Sequence, residues 1–111
     1  GIGSTAPLYS SAYLAGYLPI DELQQLIQAG AVGDVGGVNF DIQGQYVCAE
    51  FCKRLVTISN DDLKTIPVRI GIAGGQGKVT PILGALRGGF INFLVTDGDT
   101  ARQVLELAAH N

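Results

Sequence analysis

The residues best suited to chemistry lie in three short glycine-containing stretches, each predicted to be a loop: residues 1–4 (GIGS), 30–34 (GAVGD) and 73–78 (AGGQGK). In the third, an apolar run ends in glycines, and a lysine and a helix-like segment follow. Glycines let backbone N–H groups approach a ligand, and the start of a helix is electrically positive. The positive charge of Lys78 would be repelled by the positive end of that helix unless an anion lay between the lysine and the helix. The stretch therefore predicts a phosphate site, with a solvated lysine in a flexible turn as the alternative.

Two nucleotide-binding motifs approximate this stretch and fail at positions that the chemistry needs. A P-loop, G-x-x-x-x-G-K-[ST], requires glycine at position 72 and serine or threonine at 79, where the chain has Ile72 and Val79. A G-x-G-x-x-G motif starting at Gly75 ends on Thr80 instead of glycine. The residue pattern therefore argues against a magnesium-bound nucleotide and leaves a simpler phosphate as the expected ligand.

Asp34 lies in an otherwise apolar stretch bracketed by glycines. An ionised carboxylate there could accept hydrogen bonds from sugar hydroxyls, or it could be an ordinary turn aspartate. It is also the one candidate for the general base of a sugar-phosphate enzyme. His110, the only histidine, is second from the end, so a Ser-His-Asp triad is excluded. No metal or cofactor is expected.

The composition fits one globular domain of 111 residues. Hydrophobic residues make up 47% and charged residues 15%, which excludes disorder, and no apolar run reaches the roughly 18 residues of a membrane span. A net charge of −3 argues against DNA binding by this chain itself. Cys48 and Cys52, with one histidine, cannot form a Cys/His zinc site and are expected to be reduced thiols of a cytoplasmic protein.

The first 60 residues must position the first two glycine stretches. A short helix is possible within residues 10–18, and a clear one is predicted for residues 19–30, with Leu23, Leu26 and Ile27 on its apolar face. A loop, a short strand near 35–40 and a turn at 41–44 should follow, and residues 51–59 have the β-branched content of a strand. One helical turn, capped by Ser59 or Asn60, should end before Pro67.

The last 45 residues predict the order strand, helix, strand, helix. The first helix follows Lys78, with an apolar stripe of Ile82, Leu83 and Leu86, and the second is capped by Asp97 or Asp99. The apolar side of the second helix is expected to carry Ala101, Val104, Leu105 and Ala108. The strand in residues 90–97 is almost continuously apolar, as when both faces are covered. Such a βαβα unit predicts an α/β fold with a Rossmann-like parallel sheet and ligands at its carboxyl edge.

Almost the whole chain, and most specifically IAGGQGKVTPILGALRGGFINFLVTDGDTA, resembles the effector-binding domain of the SorC family of bacterial sugar-responsive transcriptional regulators. The resemblance implies a phosphosugar isomerase-like fold that binds a phosphorylated sugar. It implies that residues 1–111 are the C-terminal part of that domain, that operator DNA is bound by a helix-turn-helix domain outside this chain, and that the regulator forms homodimers or homotetramers.

The resemblance also implies a set of ligand-binding residues. Gly74, Gly75 and Lys78 would lie near the effector, with Lys78 on its phosphate, and Asp34 would bind its hydroxyls. Gly3 and Ser4 would form the rim of the pocket. Gly36 and Gly37, which come shortly after the GAVGD motif, depart from the family pattern. The family often has larger side chains there, so the departure implies a roomier or differently shaped pocket.

Three functions are therefore weighed. The first is a non-catalytic sensor of a phosphorylated sugar. The second is an active sugar-phosphate isomerase or deaminase with Asp34 as its base, and the third is an element that serves mainly in assembly. The absence of a second candidate base favours the sensor.

Overall fold

The computed structural model describes residues 1–110 and shows a mixed α/β fold. Its strands are β1 (Ile2–Ser4), β2 (Ala31–Val35), β3 (Val38–Asp41), β4 (Tyr46–Val47), β5 (Ile70–Ile72) and β6 (Phe93–Val95). Its α-helices are α1 (Ser11–Leu14), α2 (Ile20–Gln28), α3 (Asn60–Thr65), α4 (Val79–Arg87) and α5 (Gly98–His110). Short 3₁₀ helices span Glu50–Arg54 and Gln76–Lys78.

The larger sheet is antiparallel, with the strand order β1–β2–β3–β4. The GIGS and GAVGD stretches, predicted as loops, are instead its paired strands β1 and β2. A tight turn at Gly36 and Gly37, both at positive φ (58° and 82°), joins β2 to β3. Two consecutive glycines between strand-forming residues are a strong hairpin signal because they accept positive φ without steric cost. The expectation of a sheet that is parallel throughout is therefore corrected for this part of the chain.

The βαβα unit is confirmed: β5 and β6 pair in parallel, and α4 and α5 follow them. Gly71 and Leu94 point toward the core, whereas the alternate side chains of both strands are more than half exposed: Ile70, Ile72, Phe93 and Val95. The prediction that both faces of this sheet are covered is wrong within residues 1–110, since none of the elements described there covers that outward face.

The main core joins the two sheets to α4. The Phe40 and Phe90 rings stack with their centroids 4.7 Å apart, and Ile82 and Ala85 of α4 are fully buried. Gly84 permits this packing because a Cβ there would come within 2.9 Å of the Phe40 ring. A second cluster buries Leu23 and Leu26 of α2, which confirms two of the three residues predicted for the apolar face of that helix.

Several local predictions hold. The turn at residues 41–44 is closed by the Gly44 N–H, which donates to the Asp41 carbonyl (2.9 Å). Helix α3 begins after Ser59, whose hydroxyl accepts from the Asp62 N–H (3.1 Å). Helix α5 is capped by Asp97, which accepts from the Thr100 N–H (2.8 Å).

Other local predictions are wrong. Residues 51–59 do not form a strand but continue the 3₁₀ helix Glu50–Arg54 into extended chain, and Val56 is fully exposed. Three residues predicted to lie on the apolar faces of their helices are instead exposed: Ile27 (40%), Leu86 (37%) and Leu105 (71%). Periodicity marks a helix, but the positions of its neighbours decide how wide the buried stripe is.

Cys48 and Cys52 were expected to be reduced, and the structure joins them by a disulfide bond from the residue after β4 to the third residue of the 3₁₀ helix Glu50–Arg54. The Cα atoms are 5.6 Å apart, within the range that a disulfide requires. A four-residue spacing brings two cysteines together only when the intervening chain turns tightly, and the start of the 3₁₀ helix Glu50–Arg54 supplies that turn. Across residues 1–110, no helix is both long and apolar enough to cross a membrane.

Candidate functional site

A cavity of about 500 Å³ opens between β1, the β2–β3 hairpin and the second apolar cluster. Its volume lies within the range of small-molecule sites. Four of the residues singled out from the sequence line it: Gly3, Ser4, Asp34 and Lys78. The hairpin and β1 thus bring the GIGS and GAVGD stretches to the lysine of the third stretch.

Asp34 is held in place by the strand pairing and the hairpin turn. Its Cα lies opposite Gly3 across β1 and β2, and its Oδ2 accepts a hydrogen bond from the Gly37 N–H (3.0 Å). Burial raises the pKa of the Asp34 carboxyl above its ordinary value, against smaller lowering effects from the Gly37 hydrogen bond and the charge of Lys78. The carboxyl is therefore a desolvated group with a nearby cation.

Gly3 makes room for this carboxyl. A Cβ on Gly3 would overlap Asp34 Oδ1 and lie 2.9 Å from Asp34 Cγ. A larger residue at this position would therefore have to displace the Asp34 carboxyl from its place beside β1.

Lys78 ends the 3₁₀ helix Gln76–Lys78 and precedes the first residue of α4. Its Nζ donates to the Ile2 carbonyl (2.7 Å), so the ammonium lies beside β1 at the residue before Gly3. The Lys78 ammonium and the Asp34 carboxyl therefore lie beside two adjacent residues of β1, Ile2 and Gly3. Lys78 caps α4 without a side-chain hydrogen bond, which leaves the positive end of that helix uncapped by a side chain.

Gly74 and Gly75 lie in the loop between β5 and the 3₁₀ helix Gln76–Lys78 and do not line the cavity. The Gly75 N–H donates to Thr100 Oγ1 (2.9 Å), and that hydroxyl donates to Asp97 Oδ2 (2.9 Å). The hydrogen bonds from Thr100 lower the pKa of Asp97 below its ordinary value. In this structure, the glycine loop is thus tied to the start of α5, which fixes the segment that leads to Lys78.

The cavity also contains polar residues that the sequence did not single out. Asn39 is 5% exposed and Ser10 is 5% exposed, and both line it with Thr5. The Thr5 hydroxyl is already used, since it donates to the Ala31 carbonyl (2.7 Å). The signal for Asn39 was an amide in the apolar run of β3, where an alternating strand places it beside Asp34.

The remaining wall is apolar and includes Leu18, Leu23, Leu26, Phe51 and Leu55. A cation, a carboxyl and an amide in such a wall can orient a small polar ligand that carries an anion. Among residues 1–110, no cluster of three His, Cys, Asp or Glu side chains could hold a metal ion. The fold and this cavity define an α/β domain that binds a small ligand.

Comparisons with known proteins agree with this class. Residues 1–106 match the family model described as "Putative sugar-binding domain". The chain therefore belongs to this sugar-binding domain family, and the resemblance to SorC-type regulators is confirmed.

Individual relatives show how far the similarity extends. The transcriptional regulator LsrR of Escherichia coli (strain K12) is 48% identical over 77 residues, which cover 68% of this chain and 24% of LsrR. A transcriptional regulator from Streptococcus pneumoniae TIGR4 superposes with a TM-score of 0.87 at 33% identity over 98% of this chain and 41% of its own. The full-length sorbitol operon regulator SorC from Klebsiella pneumoniae gives a TM-score of 0.83 at 33% identity, over 95% of this chain and 34% of the SorC chain. The matched part is thus about a quarter of that curated LsrR.

Proposed function

We propose that this chain binds a phosphorylated sugar as the effector of a bacterial transcriptional regulator and does not transform it. The proposal rests on the observation that Lys78 and Asp34 line the same cavity. Lys78 Nζ donates to the Ile2 carbonyl of β1, and Asp34 lies opposite Gly3, the next residue of that strand. The ammonium would bind the phosphate, and the carboxyl would accept hydrogen bonds from sugar hydroxyls. The family and the regulators among its relatives support a sensing role.

The proposal extends to the intact regulator through the SorC resemblance. We propose that residues 1–111 form the C-terminal part of an effector domain with a phosphosugar isomerase-like architecture. Operator DNA would be bound by a helix-turn-helix domain outside these residues, in keeping with the net charge of −3. The effector-bound regulator would act as a homodimer or homotetramer.

Gly3 and Ser4 would form the rim of this site, as the family resemblance implies. The Ser4 hydroxyl accepts from the Ala6 N–H (3.1 Å) and keeps its own proton for a ligand oxygen. Gly74 and Gly75 would contribute by positioning Lys78, and would reach the phosphate only if the Gly75–Thr100 hydrogen bond opened.

Isothermal titration calorimetry with D-glucose 6-phosphate, D-fructose 6-phosphate and D-ribose 5-phosphate tests the proposal, with the unphosphorylated sugars as ligand controls. Lys78→Ala removes a charge-assisted hydrogen bond to phosphate and should weaken binding by about 10- to 100-fold. Lys53→Ala is the matched control, because Lys53 is exposed and pairs with Glu50 outside the cavity. Equal affinity for the unphosphorylated sugars, or an unchanged affinity in Lys78→Ala, would remove Lys78 from the site.

The non-catalytic part of the proposal has its own test. Each sugar phosphate that binds is incubated with the protein and followed by NMR for isomerisation or deamination. No turnover is expected, since among residues 1–110 Asp34 is the one acidic residue that lines the cavity, and no second carboxylate and no histidine accompanies it there. Turnover that is lost in Asp34→Asn would assign the chain to the enzymes instead.

A further inference from the structure

On the basis of the proposed function, we propose that Asn39 is a specificity-determining residue whose side-chain amide binds a hydroxyl of the sugar beside Asp34. Nothing in the sequence pattern of the three glycine stretches includes this residue. The inference rests on its register in the sheet, its burial and its unused hydrogen-bonding capacity.

The strand register places Asn39 next to the carboxyl. Asn39 of β3 lies directly opposite Asp34 of β2, and across-strand partners in an antiparallel pair point to the same side of the sheet. Phe40, the next residue, points to the other side and stacks on Phe90 in the core. Asn39 and Asp34 therefore form one polar pair on the cavity side of an otherwise packed hairpin.

The Asn39 side chain is mostly buried, but its amide keeps hydrogen-bonding capacity on the cavity side. Asn39 is only 5% exposed, and its Nδ2 donates to the Gly37 carbonyl (3.2 Å). Within residues 1–110, no donor reaches its Oδ1, and its second N–H has no acceptor, although an amide can make up to four hydrogen bonds. Because Asn39 Oδ1 is not one of the fully enclosed, unpaired polar atoms of residues 1–110, it is accessible from the cavity, where a ligand can reach it.

A sugar hydroxyl matches the hydrogen-bonding groups of Asn39 and Asp34. The hydroxyl can donate to Asn39 Oδ1 and accept from Nδ2, whereas the Asp34 carboxylate can only accept. The pair therefore suits two neighbouring hydroxyls, each with a donor and an acceptor to satisfy. A site built around a hydrogen bond to a hydroxyl discriminates strongly against the analogue that lacks it, because its own polar group is then left unpaired.

The test is a cycle that removes the amide from the protein and the hydroxyl from the ligand. Calorimetry on the full chain would measure the affinities of wild type and Asn39→Leu for D-glucose 6-phosphate, D-fructose 6-phosphate and D-ribose 5-phosphate and for their monodeoxy analogues. Asn39→Leu should weaken the best of these parent ligands by about 3- to 10-fold and should leave one deoxy analogue unaffected. Asn39→Ser, which is smaller and remains polar, provides a second variant if the leucine does not fold.

A purely structural role for Asn39, through its hydrogen bond to Gly37, would weaken parent and deoxy ligands equally and would overturn the inference. An unchanged affinity for the parent ligands would overturn it too, while leaving the proposed function intact. If no sugar phosphate binds the wild type, the proposed function itself is refuted and the inference with it. Asn60→Leu is the matched control, since Asn60 has a buried, unpartnered Oδ1 outside this cavity; its affinities should equal those of the wild type.

Discussion

Gly3→Ala is the substitution that most sharply probes how the site is built. The added methyl group would overlap Asp34 Oδ1 and lie 2.9 Å from Cγ. Gly3 is paired with Asp34 across β1 and β2, and this strand pairing keeps the two residues close together. The carboxyl must therefore rotate, which breaks its hydrogen bond from the Gly37 N–H.

Overpacking of this kind costs about 1–3 kcal/mol of unfolding free energy. Urea denaturation followed by circular dichroism would measure that loss. Calorimetry with the sugar phosphate that binds best should show an affinity reduced as much as in Asp34→Ala, since both variants remove the carboxyl from its place.

Gly98→Ala is the matched control for this substitution. A Cβ on Gly98 meets nothing within 4 Å, and the residue begins helix α5. Its stability and affinity should stay within experimental error of the wild type or rise slightly, because alanine favours helix. A Gly3→Ala protein with wild-type stability and wild-type affinity would refute the proposed packing of Asp34 against β1.

Two further predictions concern the charged groups and the glycine loop. Burial raises the folded-state pKa of Asp34, so the folded protein binds this proton more tightly than the unfolded chain does. Urea titrations across pH should therefore show the wild type gaining stability relative to Asp34→Asn as the pH falls through that raised pKa; an equal pH dependence would contradict this. Thr100→Val removes the hydroxyl that accepts from the Gly75 N–H and donates to Asp97, and thermal unfolding should show a loss of about 1–3 kcal/mol. Thr65→Val, at an exposed helix end, should cost less, and equal costs would refute the anchoring role.

The sequence was most informative where local chemistry decides the structure. The helix after Lys78, the caps at Ser59 and Asp97 and the turn at residues 41–44 follow from short-range rules, and all are present. The parallel pairing of β5 and β6 follows from the short links in a strand–helix–strand order.

The errors lie where distant contacts decide. GIGS and GAVGD are glycine-rich and look like loops, but pairing across 30 residues turns them into strands. The Gly36–Gly37 pair could have signalled the hairpin, and with it the antiparallel sheet. Residues 51–59 have strand propensity, yet they lack a partner strand in residues 1–110 and contain a disulfide-bridged turn instead.

The sequence predicted the charged residues of the candidate site but not the uncharged residues that line the rest of the cavity. Lys78 and Asp34 were visible because a cation after glycines and a carboxylate among apolar residues are unusual. Asn39 and Phe51 enter the cavity only through strand register and the path of the chain after β4. Gly75 was predicted to offer its amide to a ligand, and the structure pairs that amide with Thr100.

A crystal structure of the protein with its best-binding sugar phosphate is the most direct test of the central claim. We expect the phosphate within hydrogen-bond distance of Lys78 Nζ and a sugar hydroxyl on the Asp34 carboxyl, in the cavity between β1 and the β2–β3 hairpin. Lys78 Nζ donates to the Ile2 carbonyl, so the ammonium should either give up this hydrogen bond for one to the phosphate or make both. A ligand bound elsewhere, or with its phosphate away from Lys78, would contradict the proposed function.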